Sequence, residues 1–298
     1  MDYRTPDGAL LRLGIQSPIV VQTPGAHARW EGDAGPDGLR RVVVAADRLG
    51  YHHLTCSEHV AVPEAEVGRR GVMYWDPVAT LAWAAALTER IRLATNVVVL
   101  GYHHPLEILK VYGTLDLLAG GRLVLGVGVG SLREEFEILG APFMDRGPRA
   151  DDALAAIRSG WGRAEVAHTG PYYEYGPVTV APHAPRTDVP VWIGGRTRRS
   201  LRRAVSFGTG WAPFAVTPAQ VREWLAGVDA PPGLDIVLGP SRPLDPRADA
   251  DATRRALDEL AAAGATVVHA AFVHHDLDDY VGQLEALAGL AADSRGAG

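Results

Sequence analysis

One cysteine, Cys56, in 298 residues excludes an intramolecular disulfide and a CxxC metal site. Lysine is as scarce: Lys110 is the only one, and arginine carries the rest of the positive charge. Long apolar runs are missing, and none reaches the roughly 18 residues a membrane span needs. The opening stretch, MDYRTPDGALLRLG, has no apolar core of the kind a secretory signal carries. A basic excess is missing too. Lys+Arg number 29 against 35 Asp+Glu, a net charge of −6, and such a chain meets nucleic-acid phosphates poorly. These absences predict a cytoplasmic protein with neither membrane nor nucleic acid as partner. What remains is ordinary for a folded domain: 47% of residues are hydrophobic and 21% charged, which argues against disorder.

Short apolar runs alternate with helical stretches along the whole chain. The runs are Leu11–Gln16, Tyr51–Cys56, Ile91–Val99, Leu123–Val127, Pro190–Ile193, Gly210–Pro213, Leu234–Leu238 and Thr266–Phe272. The helical stretches are Leu39–Leu49, Pro77–Thr88, Leu106–Leu118, Pro148–Trp161, Ser200–Phe207, Pro218–Leu225, Ala252–Ala263 and Leu277–Leu290. Asp76 before Pro77 reads as a helix N-cap, and Gly120-Gly121 as a helix stop. Strands that are apolar throughout suit a parallel sheet covered on both faces. Eight such units in one domain predict an α/β fold, a (β/α)8 barrel, with a doubly wound sheet as the alternative. Gly162–Val189, rich in Pro, Tyr and Gly, breaks the alternation and reads as an inserted hairpin or loop between the fourth helix and fifth strand. Val60–Trp75 is a second long connection, and Asp293–Gly298 reads as a frayed, disordered tail.

A barrel enzyme keeps its chemistry at the C-terminal ends of the strands. There the sequence gathers Ser57-Glu58-His59 after the second run, Gly101-Tyr102-His103-His104 after the third, and Gly126-Val127-Gly128-Val129-Gly130-Ser131 at the fourth. Gly194-Gly195-Arg196 follows the fifth and His274-His275-Asp276 the eighth. Glu58 and His59 could bind a polar ring edge or move a proton; they could also merely satisfy loop backbone. The glycines at 126, 128 and 130 do not fit GxGxxG spacing, since the third glycine falls on Ser131 or Arg133. They leave room for a flat ligand or for close packing. Gly194-Gly195 opening a helix suits a phosphate. The arginines at 196, 198, 199, 202 and 203 suit further anionic groups or pairing with carboxylates. Cys56 reads as a buried strand residue, and the His52-His53, His103-His104 and His274-His275 pairs do not amount to a metal site, so none is expected.

These blocks together resemble the luciferase-like monooxygenase superfamily, in its branch that uses the deazaflavin coenzyme F420. The matching stretches are Ala45–Tyr51 leading to Ser57-Glu58-His59, Asp76-Pro77, Arg90–Pro105, Thr114–Leu123, Gly126–Gly140, Asp145–Arg149 and Val191–Trp211. They span residues 10–215; the remainder matches only in rhythm. The resemblance implies a single barrel domain over 1–298, a homodimer, and a cofactor at the strand C-termini. It implies that Glu58 and His59 stand beside the deazaflavin, with His59 as proton donor or acceptor. It places a non-proline cis peptide at Asn96–Val97 against the ring, with Val99 also touching it. Gly128, Gly130 and Ser131 would flank the cofactor, and Gly194, Gly195 and Arg196 would hold its phosphate. The activity implied is hydride transfer between C5 of F420 and a small organic substrate: reduction of an activated C=C, C=N or C=O, or oxidation of an alcohol. An FMN-dependent monooxygenase on the same fold is the alternative, disfavoured by the arginines, which suit the polyanionic F420 tail. Ser131 stands where sugar-phosphate dehydrogenases of this branch carry a glutamate acid, which argues against that sugar chemistry.

Overall fold

Strand β1 (Leu10–Ile15) pairs in parallel with both β2 (His53–Cys56) and β8 (Val267–Ala270), and this double pairing closes the sheet into a ring. In the computed structural model, which describes residues 1–296, the ring continues through β3 (Arg92–Thr95), β4 (Leu123–Gly128), β5 (Val191–Gly195), β6 (Gly210–Pro213) and β7 (Asp235–Leu238), each parallel to its neighbours. Helices return the chain from the end of each strand to the start of the next. They are α1 (Glu31–Arg48), α2 (Pro77–Leu87), α3 (Pro105–Leu118), α4 (Arg146–Gly160), α5 (Arg198–Phe207), α6 (Pro218–Ala226), α7 (Ala250–Ala262) and α8 (Leu277–Gly296). The fold is a (β/α)8 barrel, as the alternation predicts.

Strand period two divides the side chains. Leu11, Leu13, Ile15, Leu54, Leu93, Leu123, Leu125 and Ile193 face outward into the apolar layer beneath the helices. Ala94, Val124, Trp192, Ala212, Val237 and Val267 form a separate cluster inside the ring. His53 and His269 share that interior and are buried. Gly14 makes room for them: a Cβ there would lie 2.1 Å from the His53 ring.

The local signals hold where they are chemical. The Asp76 carboxylate caps α2 by accepting from Ala79 N–H at 2.7 Å, and His104 Nδ1 caps α3 by accepting from Leu106 N–H at 3.2 Å. Gly120 and Gly121 end α3 at φ 61° and 80°. The 162–189 stretch contains an antiparallel hairpin, Glu165–Thr169 with Glu174–Thr179, standing off the barrel sheet.

Three features differ from expectation. Helix α1 starts at Glu31, eight residues before the apolar periodicity, and bends at Gly35 (φ 55°). The third run is broken as a strand: β3 stops at Thr95 and pairing resumes at Val98–Val99 alongside β4, while the Asn96–Val97 peptide between them is cis, as the resemblance implies. The tail expected to fray at Asp293 is helical to Gly296. Ala291 is fully buried, Ser294 Oγ accepts from Arg4 N–H at 3.0 Å and Asp293 meets Arg254 at 3.8 Å. Residues 297–298 lie outside the described residues.

Candidate active site

The rim at the strand C-termini is tied together before any side chain chemistry is considered. Val21–Gln22 of the first connection pairs antiparallel with Met73–Tyr74 of the second. Glu31 fastens the first loop, accepting from Ile19 N–H and Ala28 N–H, both at 2.7 Å. Trp30 Nε1–H donates to His274 Nδ1 at 2.9 Å, joining the first and last connections.

His59 stands on this rim. Its Nδ1–H donates to Glu135 Oε2 at 2.6 Å, and its ring meets Tyr74 edge-on at 4.5 Å. Glu135 comes from a short helix, Arg133–Ile138, that the sequence reading does not anticipate. Its carboxylate is wholly buried and accepts from Val60 N–H at 2.7 Å, Ala61 N–H at 3.1 Å and Tyr102 Oη–H at 2.9 Å. Burial by itself would raise the pKa of Glu135, but the hydrogen bond and charge of His59, with the Ala61 amide and Tyr102, outweigh it and hold the carboxyl below its usual range. The neighbouring Tyr102 phenol moves the other way, pushed up by burial and by the Glu135 charge. With Nδ1–H fixed on Glu135, the Nε2 of His59 is the nitrogen left for a reacting group.

Glu58 has different partners. One carboxylate oxygen accepts from Val99 N–H at 2.7 Å, and the other from His103 Nε2–H at 2.7 Å. It borders a cavity of about 220 Å³ between α2 and α3, which Asp76, Glu107 and Tyr112 also line. Burial would lower the His103 pKa; Glu58 and Glu107 outweigh it and raise it. Glu58 therefore braces the Asn96–Val99 segment from behind, and the structure does not couple it to the His59 ring. Ser57 Oγ–H braces the same segment through Asn96 O at 2.6 Å.

The glycines of the fourth strand make room chiefly for protein. A Cβ at Gly126 would sit 1.9 Å from Thr95 O, and one at Gly128 would sit 2.8 Å from Val97 Cγ2. Gly194, on the neighbouring strand β5, faces the same side chain: its Cβ would lie 2.8 Å from Val97 Cγ1. Val97 thus projects into the mouth between β4 and β5. Gly130 (φ 74°) closes onto Phe136 and Val99, and Ser131 is exposed.

At the end of β5, Gly195 adopts φ 142°, and any Cβ would meet Ser200 Cβ at 2.7 Å. The side chain of Thr197 makes no cap hydrogen bond to α5. The five arginines divide. Arg198 pairs with Glu223 and Arg203 with Asp151. Arg196 is exposed and, among the described residues, has no ion pair. Cys56 is buried and its thiol is pushed up to about 12, chiefly by burial, so it is no nucleophile. Among the described residues no three His, Cys, Asp or Glu side chains form a group able to hold a metal. Among the aromatic residues, Trp30 and Tyr74 stand at the rim. Tyr173 and Tyr175 pack on His104, and Tyr172 lies under Arg149.

Tyr102 and His103 are at the rim where the sequence places them, but their carboxylate partners, and Glu135 altogether, are not foreseen from the sequence. Glu135 lies 76 residues from His59, so the available signal was a charged residue within the Gly126–Gly140 block that carries the resemblance.

A sequence profile of the luciferase-like monooxygenase family matches residues 12–296. An uncharacterised protein of Mycobacterium tuberculosis (strain ATCC 25618 / H37Rv) is 31% identical over 202 residues, covering 62% of this chain and 67% of the relative. An F420-dependent glucose-6-phosphate dehydrogenase of Intrasporangium calvum is 29% identical over 207 residues, 66% of this chain and 59% of the relative. Among solved structures, a monooxygenase from Streptomyces bottropensis superposes with TM-score 0.74 at 23% identity, covering 95% of this chain and 99% of that one. The F420-dependent tetrahydromethanopterin reductase of Methanopyrus kandleri superposes with TM-score 0.70 at 15% identity, covering 95% and 99%. At these identities the superpositions speak for the fold.

Proposed function

Because the chain belongs to the luciferase-like monooxygenase family, we propose that it is an F420-dependent oxidoreductase acting on a small organic substrate at the C-terminal mouth of its barrel. The observation that carries the cofactor assignment is the end of β5. There the Gly194-Gly195 turn leads into a helix whose first turn has no side-chain cap, with the unpaired Arg196 beside it. Free backbone N–H groups, the helix dipole and a guanidinium suit a phosphate diester with a further anionic tail. The relative named an F420-dependent dehydrogenase supports the same choice.

In this reading Gly194, Gly195 and Arg196 hold the anionic part. Asn96, Val97, Val99 and Ser131 line the planar part, with Gly128 and Gly130 packed behind Val97 and Val99. The chemistry contributed by a bound deazaflavin is two-electron hydride transfer, to an activated C=C, C=N or C=O or from an alcohol. His59 handles the proton at Nε2: as imidazolium it donates to the reduced substrate atom, and as imidazole it accepts from an alcohol. Glu135 fixes which nitrogen faces the substrate. Glu58, with both oxygens engaged, positions Val99 and the segment before it. The exposed Ser131 offers no acid, so the sugar-phosphate reaction of the relative is not carried over. Trp30, Tyr74 and the half-exposed Phe214 (54%) give the rim apolar faces for the substrate. A homodimer and a cytoplasmic location belong to the same reading.

Titrating the purified chain with F420 and, separately, with FMN while following ring fluorescence tests the assignment. Saturable F420 binding is expected. Tight FMN binding with none for F420 would replace this reading by an FMN-dependent monooxygenase. His59→Gln should retain F420 binding and lower turnover by about 10²–10⁴-fold; unchanged turnover would assign the proton to another group.

A further inference from the structure

The opposite end of the barrel, where the strands begin, holds a second polar site. A cavity of about 180 Å³ is lined there by Arg12, His52, Arg92, Trp192, Thr209 and Asp235. Its charges do not balance. Arg12 pairs with Asp235, whose other oxygen accepts from Trp192 Nε1–H at 3.0 Å. Nearby, Arg186 is taken by Asp116 at 3.0 Å. Arg92 is left half-buried and, among the described residues, its guanidinium has neither an ion pair nor a hydrogen-bond acceptor. Burial, then the charges of Arg186 and Arg12, lower its pKa, and the carboxylates of Asp235 and Asp116, each paired with another arginine, offset this only in part. His52 is pressed down to about 3 by burial and then by Arg12 and Arg92, so it is neutral and can turn an N–H toward the cavity.

His52 is also the outer end of a file of three imidazoles. Its Nδ1 lies 3.0 Å from His53 Nδ1, and His53 Nε2 lies 2.6 Å from His269 Nδ1. Burial lowers the pKa of His53, and that of His269 to about 4, so all three rings are neutral near pH 7. The far nitrogen, His269 Nε2, is buried without a partner. A neutral imidazole has one N–H and one lone pair. Two hydrogen bonds along the file therefore permit two arrangements, one the reverse of the other.

We propose that this cavity is a binding site for a small oxyanion, held by the Arg92 guanidinium and the His52 Nε2–H, and that its arrival fixes the direction of the whole file. An anion accepts, so His52 must present N–H at Nε2 and a lone pair at Nδ1. His53 then donates from Nδ1 and accepts at Nε2, His269 donates from Nδ1, and His269 Nε2 becomes an acceptor in the barrel interior. A planar guanidinium and an imidazole N–H suit a tetrahedral or carboxylate oxyanion in a space of this size. This site does not depend on which cofactor the mouth takes.

The test is a titration of the full chain, labelled with ¹⁵N-histidine, with inorganic phosphate against sodium chloride at equal ionic strength. The expected result is a saturable shift of the His52 nitrogens with phosphate only. His269 Nε2 should move to the unprotonated ¹⁵N range and Nδ1 to the protonated one. Arg92→Met should weaken the His52 response by about tenfold or more. If that variant fails to fold, Arg92→Lys keeps the charge but not the fork and should weaken it less. Arg196→Gln, at the other end of the barrel, should leave it unchanged, which separates this site from any phosphate at the diglycine turn. A His52 response equal in chloride, or one that survives Arg92→Met, overturns the site. Saturable binding with His269 Nε2 still protonated overturns the file.

Discussion

Glu135 is the residue on which the candidate site turns, because one buried carboxylate answers four donors: His59, Tyr102 and the amides of Val60 and Ala61. Removing it would orphan each of them, at about 1–3 kcal/mol for a buried group left unsatisfied. Its depressed pKa also makes a pH statement. A carboxyl whose folded pKa lies below its ordinary value near 4.5 adds stability that is fully present above that value. That stability is lost as the pH falls through the lower folded pKa. Glu135→Gln keeps the shape and removes the charge, so the variant should be less stable than the parent at neutral pH. The gap, measured by urea unfolding across a pH series, should narrow steadily as the pH falls below about 4.5. A gap that stays constant down to pH 3 would show that Glu135 is not held as a carboxylate by these donors.

At the scale of elements, the joint between helices and strands rests on a single guanidinium. Arg122, just before β4, donates to Ala85 O and Thr88 O at the end of α2, to Thr88 Oγ1, to Ile91 O before β3 and to Ala119 O after α3. It caps the negative end of α2 and ties two helix–strand loops together. A lysine cannot reach these acceptors in a plane, so Arg122→Lys should cost about 2–3 kcal/mol and lower the melting temperature by several degrees. A melt indistinguishable from the parent would mean that water or neighbours replace the fork without loss. The elements themselves were legible in the sequence because their signals are local. Asp76-Pro77 starts a helix, Gly120-Gly121 stops one, and strands covered on both faces read as apolar runs. What was not legible depends on contacts across the ring. The glycines of β4 read equally as room for a ligand, yet Thr95 O and Val97 fill that room. The helix carrying Glu135 is six residues of mostly charged sequence with no apolar period. The His53–His269 contact joins residues 216 apart, and a lone His-His pair in the sequence says nothing of which ring it will face.

For the whole molecule, the closed ring confines most chemistry to its two ends and makes the hairpin at 165–179 an excursion outside the closed unit. Val180 N–H donates to Ala164 O at 2.7 Å, so the two ends of that excursion already meet. The hairpin is held mainly through Asp152, whose carboxylate accepts from His168 Nε2–H at 2.8 Å and from the amides of Tyr172 and Tyr173 at 2.8 and 2.9 Å. Deleting the hairpin alone would leave that buried carboxylate without partners, which costs several kcal/mol for reasons unrelated to the barrel. The informative variant therefore replaces residues 165–179 by two glycines and carries Asp152→Asn as well. If the ring is the cooperative unit, this shortened chain keeps the parent far-UV circular dichroism per residue and melts in one transition. Its midpoint should be lower by a few degrees, for the lost burial of Val166 and the hydrogen bonds. The His59–Glu135 pair lies on other connections, so binding of the cofactor that the parent binds should survive. Loss of the cooperative transition would show that the hairpin helps to close the barrel between α4 and β5; loss of cofactor binding with the transition intact would show that it forms part of the mouth.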